Sequence, residues 1–176
     1  MALPRVDRLP LLVELQLGDS LCEATWEKRL PANSVRMSVG SALCRNARVV
    51  ATALFSEVWD PSRVTGERPN TIDALLLIEL IAVERTRPVS GFGEQSTLLR
   101  VQWALLDGNE RLIWVGTATG EGKSPMGYFR AEKNAAKQLT TAVHEAFRRS
   151  FEQMSASPEI RDLAARVART REVAPP

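Results

Sequence analysis

The chain has 176 residues, 44% of them hydrophobic and 25% charged, which fits one soluble globular domain with a self-sufficient core. A formal charge of +2 is too small to imply nucleic acid or an anionic membrane without a concentrated patch. The longest apolar run, Ala74–Val83, contains Glu79 and falls well short of a membrane span of ~20 residues.

Residues 1–10 hold two prolines and mixed charges and read as an extended lead-in. They contain no apolar signal core or small-residue cleavage site, so they are not a signal peptide as written. Leu11–Leu17 alternates, with Leu11, Val13, Leu15 and Leu17 on one face and Glu14 and Gln16 on the other, the pattern of a half-buried strand. After the turn Gly18-Asp19-Ser20, Leu21–Leu30 reads as a returning strand carrying Trp26. Cys22 and Cys44 match no metal-ligand motif and read as buried free thiols, since cysteine count alone does not establish an oxidising compartment.

Pro31-Ala32-Asn33-Ser34 offers a helix N-cap. From Val35 to Val58, residues such as Leu43, Ala47, Val50, Leu54 and Val58 recur at helical spacing, with Arg45, Arg48 and Glu57 opposite, so an amphipathic helix is expected. The turn-rich stretch Trp59–Asn70 ends it. Thr71–Arg85 is then apolar on both faces, which marks a central strand covered on both sides. If the chain's own helices cannot cover both faces, a second copy or a partner protein is expected to cover the rest.

The next stretch organises the domain. Thr97–Ser124 places two apolar runs around Asp107-Gly108-Asn109-Glu110, a β-hairpin signal. Leu99, Val101, Trp103 and Leu105 share a face on the first arm, and Leu112, Trp114, Gly116 and Ala118 on the second. Ala131–Met154 is a long amphipathic helix with Leu139, Val143, Phe147, Phe151 and Met154 on its stripe. Ser157 and Pro158 open a short last helix whose other face is basic, with Arg161, Arg166, Arg169 and Arg171. The expected fold is α+β: a mixed sheet of four to five strands, two long helices on one face and a short C-terminal helix. Residues 1–170 form one domain and 171–176 a disordered tail.

No catalytic, cofactor-binding or metal site is legible. Gly120-Glu121-Gly122-Lys123-Ser124 resembles the end of a phosphate loop, but that motif needs a glycine where Thr117 stands and a helix immediately after the lysine. His144 is the sole histidine, so a histidine pair on one metal within the chain is impossible. No G-x-S-x-G elbow accompanies it. Asp73 and Glu79, six residues apart on a strand, stand ~20 Å apart, too far for a working pair. Met126, Tyr128 and Phe129, in the glycine-containing stretch 120–130, form a candidate partner-contact patch.

The helix segment VGSALCRNARVVATALFSEV, the strand ending LIWVGTATGEGKS and the alanine-rich closing helix together resemble a family. They are similar to small envelope lipoproteins of Gram-negative bacteria related to the curli-secretion lipoprotein and to the lipoprotein activators of penicillin-binding proteins. The resemblance covers roughly Leu11–Met154. It implies a non-enzymatic accessory or assembly protein of the periplasm and outer membrane, acting on another envelope protein and self-associating. It also implies a lipid anchor, for which no attachment cysteine precedes Leu11. Without an upstream signal the expectation becomes cytoplasmic. The alternative reading is a cytoplasmic small-molecule or nucleotide-binding domain using the glycines at 91–93 and 120–127. A third, RNA contact through the arginines of the last helix, lacks the aromatic platform single strands want.

Overall fold

The computed structural model describes residues 1–29, 34–64, 66–86, 94–125 and 131–173. Its main sheet has five strands: β1 (Leu9–Leu17), β4 (Phe55–Trp59), β5 (Ala74–Thr86), β6 (Glu94–Asp107) and β7 (Leu112–Pro125). Their order across the sheet is β4–β1–β5–β6–β7. A separate hairpin pairs β2 (Thr25–Arg29) with β3 (Ser34–Ser38). The helices are α1 (Asp19–Cys22), α2 (Gly40–Leu54), α3 (Ala131–Ala156) and α4 (Pro158–Val173). β1 runs parallel to β4 and β5, whereas β5, β6 and β7 are antiparallel, so the sheet is mixed and the fold is α+β.

Strand alternation builds the core. One face of the sheet presents Leu11, Val13 and Leu15 from β1, Ala74, Leu76 and Ile78 from β5, and Leu99, Val101, Trp103 and Leu105 from β6, all buried. Onto it α2 brings Leu43, Ala47, Val50 and Leu54, and α3 brings Leu139, Val143, Phe147, Phe151 and Met154. Ile160, Leu163 and Ala164 of α4 complete the same cluster. Ser157 caps α4, its Oγ accepting the Ile160 N–H at 3.3 Å. That helix continues to Val173, where Arg171 pairs with Asp73 at 2.7 Å.

The hairpin turn is built as its residues dictate. Asp107 Oδ1 accepts the N–H groups of Asn109 and Arg111, and Glu110 adopts a positive φ of 62°. Pairing then slips between Leu105 and Leu106, where Leu105 faces Trp114 and Leu106 faces Leu112. This bulge takes Leu112 off the buried face and leaves it 62% exposed, unlike the expected position beside Trp114 and Ala118.

Three other expectations need correction. Residues 35–58 are not one helix: strand β3 precedes α2, and β4 follows it directly at Phe55. Helical periodicity holds in the middle, but pairing of β3 with β2 and of β4 with β1 prevails at the two ends. Ser34 is therefore no N-cap; the cap position is Val39, without a side-chain bond, and the Ala24 carbonyl takes the Val39 and Gly40 N–H groups at 2.9 Å each. The strand expected over 21–30 is confined to β2, preceded by the single turn α1. Finally, Cys22 and Cys44 are joined in a disulfide, with Cα atoms 5.6 Å apart. The start of α2 lies so close to the end of α1 that a Cβ on Gly40 would sit 1.8 Å from the Cys22 carbonyl oxygen, and that approach brings the two sulfurs together.

Candidate protein-interaction surface

Helices occupy one face of the sheet, and among the described residues none covers the other. Register across that second face aligns Leu77 of β5 with Ala104 of β6 and Val115 of β7, and the next row aligns Leu75 with Leu106. Residues 66–73 cross part of it. Arg68 Nε donates to Glu14 Oε2 at 2.8 Å, and Glu14 and Leu75 are thereby almost fully buried. Further along the face the cover ends. Leu77 and Leu106 are half-buried, Val115 is 49% exposed, and Ile81, at a bulge in β5, is 45% exposed. Exposed Glu79 and Arg100 border this band. Apolar rows inside a polar margin suit a protein contact. The sequence signal was the both-face-apolar run of β5.

The neighbouring connection is anchored by charge. Arg48 Nε donates to Asp60 Oδ2 at 2.5 Å, and Asp60 Oδ1 accepts from the Ser62 N–H and hydroxyl. Burial opposes ionisation of Asp60, but the Arg48 and Ser62 hydrogen bonds outweigh it and hold the carboxyl below its ordinary range.

The phosphate-loop lookalike has another role. Gly120 and Gly122 are strand residues of β7 facing α3, where an added Cβ would lie 1.9 Å from the Ala142 oxygen and 1.8 Å from the Gln138 oxygen. No phosphate fits between strand and helix there, so Gly120 and Gly122 form no phosphate site on that face. Gly91, Gly93 and Gly127 lie outside the described residues, as do Met126, Tyr128 and Phe129 of the expected contact patch.

His144 lines a cleft of about 230 Å³ between α2 and α3, with Ser38, Arg45, Asn46 and Thr140. Burial lowers its pKa, and surrounding positive charge, Arg45 included, lowers it further. Among the described residues no carboxylate lines the cleft to orient the imidazole for nucleophilic catalysis. Asp73 accepts the Leu12 N–H at 2.6 Å and the Arg171 pair, which makes it a strut between β1, β5 and α4. Among the described residues no three His, Cys, Asp or Glu side chains gather to hold a metal, and no helix is long and apolar enough to cross a membrane. The basic face of α4 borders an open groove of about 790 Å³ whose lining includes Arg111, Arg166, Leu112, Ile113, Leu163 and Val167.

No protein-family model and no curated protein matches the chain. Among solved structures, protein XCC0632 from Xanthomonas campestris, assigned to the DUF330 family, is similar over 96% of this chain and 92% of its own, at 13% identity and a TM-score of 0.51. A minor lipoprotein from Acinetobacter baumannii is similar over 92% of this chain and 96% of its own, at 13% identity and a TM-score of 0.46. At such identity the likeness to the Xanthomonas protein is one of fold.

Proposed function

We propose that this chain is a non-enzymatic accessory protein of the Gram-negative cell envelope, working through contact with another envelope protein and through self-association. The observation that carries the location is the Cys22–Cys44 disulfide, because such bonds form and persist in oxidising compartments and are rare in the cytosol. The uncovered apolar band Leu77–Ala104–Val115 supports the mode of action. The resemblance of element order to small envelope lipoproteins agrees with both, and any lipid anchor would lie upstream of Leu11. No cofactor is part of this reading.

A photo-crosslinking residue at Val115, introduced in the native host, tests it. The expected result is a discrete adduct in the envelope fraction, either to a second copy or to one distinct protein, that disappears in Leu77→Arg. A chain found in the cytosolic fraction without adducts contradicts the proposal.

A further inference from the structure

We infer that the groove between the β6–β7 turn and α4 is a docking site for an extended segment of a partner protein that alternates acidic and apolar residues. This goes beyond the proposed function, which uses the outer face of the sheet, and does not depend on it. The groove has two walls. Arg111, Leu112 and Ile113 enter it from the turn and the start of β7, and Leu163, Arg166 and Val167 enter it from α4. Each wall thus sets one arginine beside two apolar side chains.

Local structure explains both walls. On the first, the bulge at Leu105 and Leu106 leaves Leu112 62% exposed, more than any other large hydrophobic side chain among the described residues. On the second, Leu163, Arg166, Val167 and Thr170 follow the i, i+3, i+4, i+7 spacing of one helix face. Leu163 roots that face in the core.

The charges of the groove differ in what already engages them. Asp73 Oδ2 accepts the Leu12 N–H and the Arg171 guanidinium, and Asp107 Oδ1 accepts two N–H groups of its own turn. Arg111 and Arg166 are exposed, and among the described residues neither guanidinium has an ion pair. Carboxylates complement such a site, because the planar guanidinium binds them through two parallel hydrogen bonds.

The apolar lining selects among anions. Single-stranded nucleic acid wants aromatic faces for its bases, and among the described residues no aromatic side chain lines this groove. A fatty acyl chain wants a pocket that buries most of its surface, whereas this groove is open to solvent. A peptide of alternating acidic and apolar residues carries both groups at short spacing, which matches the pairing of arginine and apolar side chains on each wall.

The test titrates the purified full chain with the blocked peptide Ser-Asp-Leu-Asp-Leu-Asp-Ser in a calorimeter. Controls are the same peptide with Asn or Lys in place of Asp. The Asp peptide should bind saturably and at least about tenfold more tightly than the Asn peptide, and Arg111→Ala or Arg166→Ala should each weaken it about tenfold. Leu112→Ser should weaken it as well. Arg111→Glu with Arg166→Glu should lose the Asp peptide and gain the Lys peptide. All four sites but Leu163 and Val167 are exposed, and native circular dichroism of each variant is the check on folding. Absence of saturable binding overturns the inference, as does an affinity indifferent to both arginines. Arginine-dependent binding of phosphatidylglycerol vesicles or of oligouridylate, without binding of the Asp peptide, overturns it too. Leu77→Arg should leave the peptide affinity unchanged, so failure of this site and failure of the outer-face contact are read separately.

Discussion

The indole Nε1–H of Trp103 donates to Ser150 Oγ at 2.9 Å, and Ser150 in turn donates to the Ala146 carbonyl at 2.8 Å. Both residues are fully or almost fully buried where α3 crosses β6, and the Trp103 ring meets Phe147 edge-on at 5.9 Å. Ser150→Ala leaves a buried N–H unpaired and should cost about 1–3 kcal/mol. Urea unfolding should show a lower midpoint with unchanged slope.

Gly122→Ala should be far worse than its small size implies. The new Cβ has 1.8 Å to the backbone of α3, so helix and strand must separate. A loss of at least about 3 kcal/mol is expected, with faster amide exchange along the β7 edge. Gly66→Ala meets its nearest neighbour at 3.7 Å and should stay within about 0.5 kcal/mol of wild type. Equal effects at the two sites would contradict the packing described.

His144 has a folded pKa below its ordinary 6.5 because burial and neighbouring positive charge disfavour the imidazolium. The unfolded chain therefore binds the proton more readily, and stability falls as pH drops through 6.5 toward the folded value. Above that window the contribution is fully present. His144→Gln should flatten this part of the stability–pH curve, and the imidazole resonances should titrate below 6.5.

Much of this fold is legible in the chain, for reasons tied to particular residues. The alternation in Leu11–Leu15 and Leu99–Leu105 and the Asp107 turn are local signals that tertiary structure reinforced. Residues 35–38 and 55–58 carry apolar spacing that suits a helix, but β3 pairs with β2, its near neighbour in the chain, and β4 pairs with β1, which is remote from it. The disulfide was invisible for a similar reason: its 22-residue separation says nothing until α1 and α2 meet. Likewise, Gly120 and Gly122 look like loop glycines until α3 lies on them. The apolar outer face announced itself in β5, whereas the cover over Glu14 depends on Arg68, 54 residues away.

Closing a loop of this length restricts the unfolded chain by about 3 kcal/mol in the loop-entropy treatment. Cys22→Ser with Cys44→Ser should lose a comparable amount, with wild type under reducing conditions matching the double variant. Identical stability of oxidised and reduced wild type would deny the bond a structural role.

The most direct test of the envelope assignment is the state of those two cysteines in the living native host. Cells are quenched in acid and their free thiols alkylated with a mass tag before and after reduction. The account predicts that Cys22 and Cys44 take the tag only after reduction, in protein recovered with the envelope fraction. Tagging of both without reduction, in protein recovered with the cytosol, would contradict it.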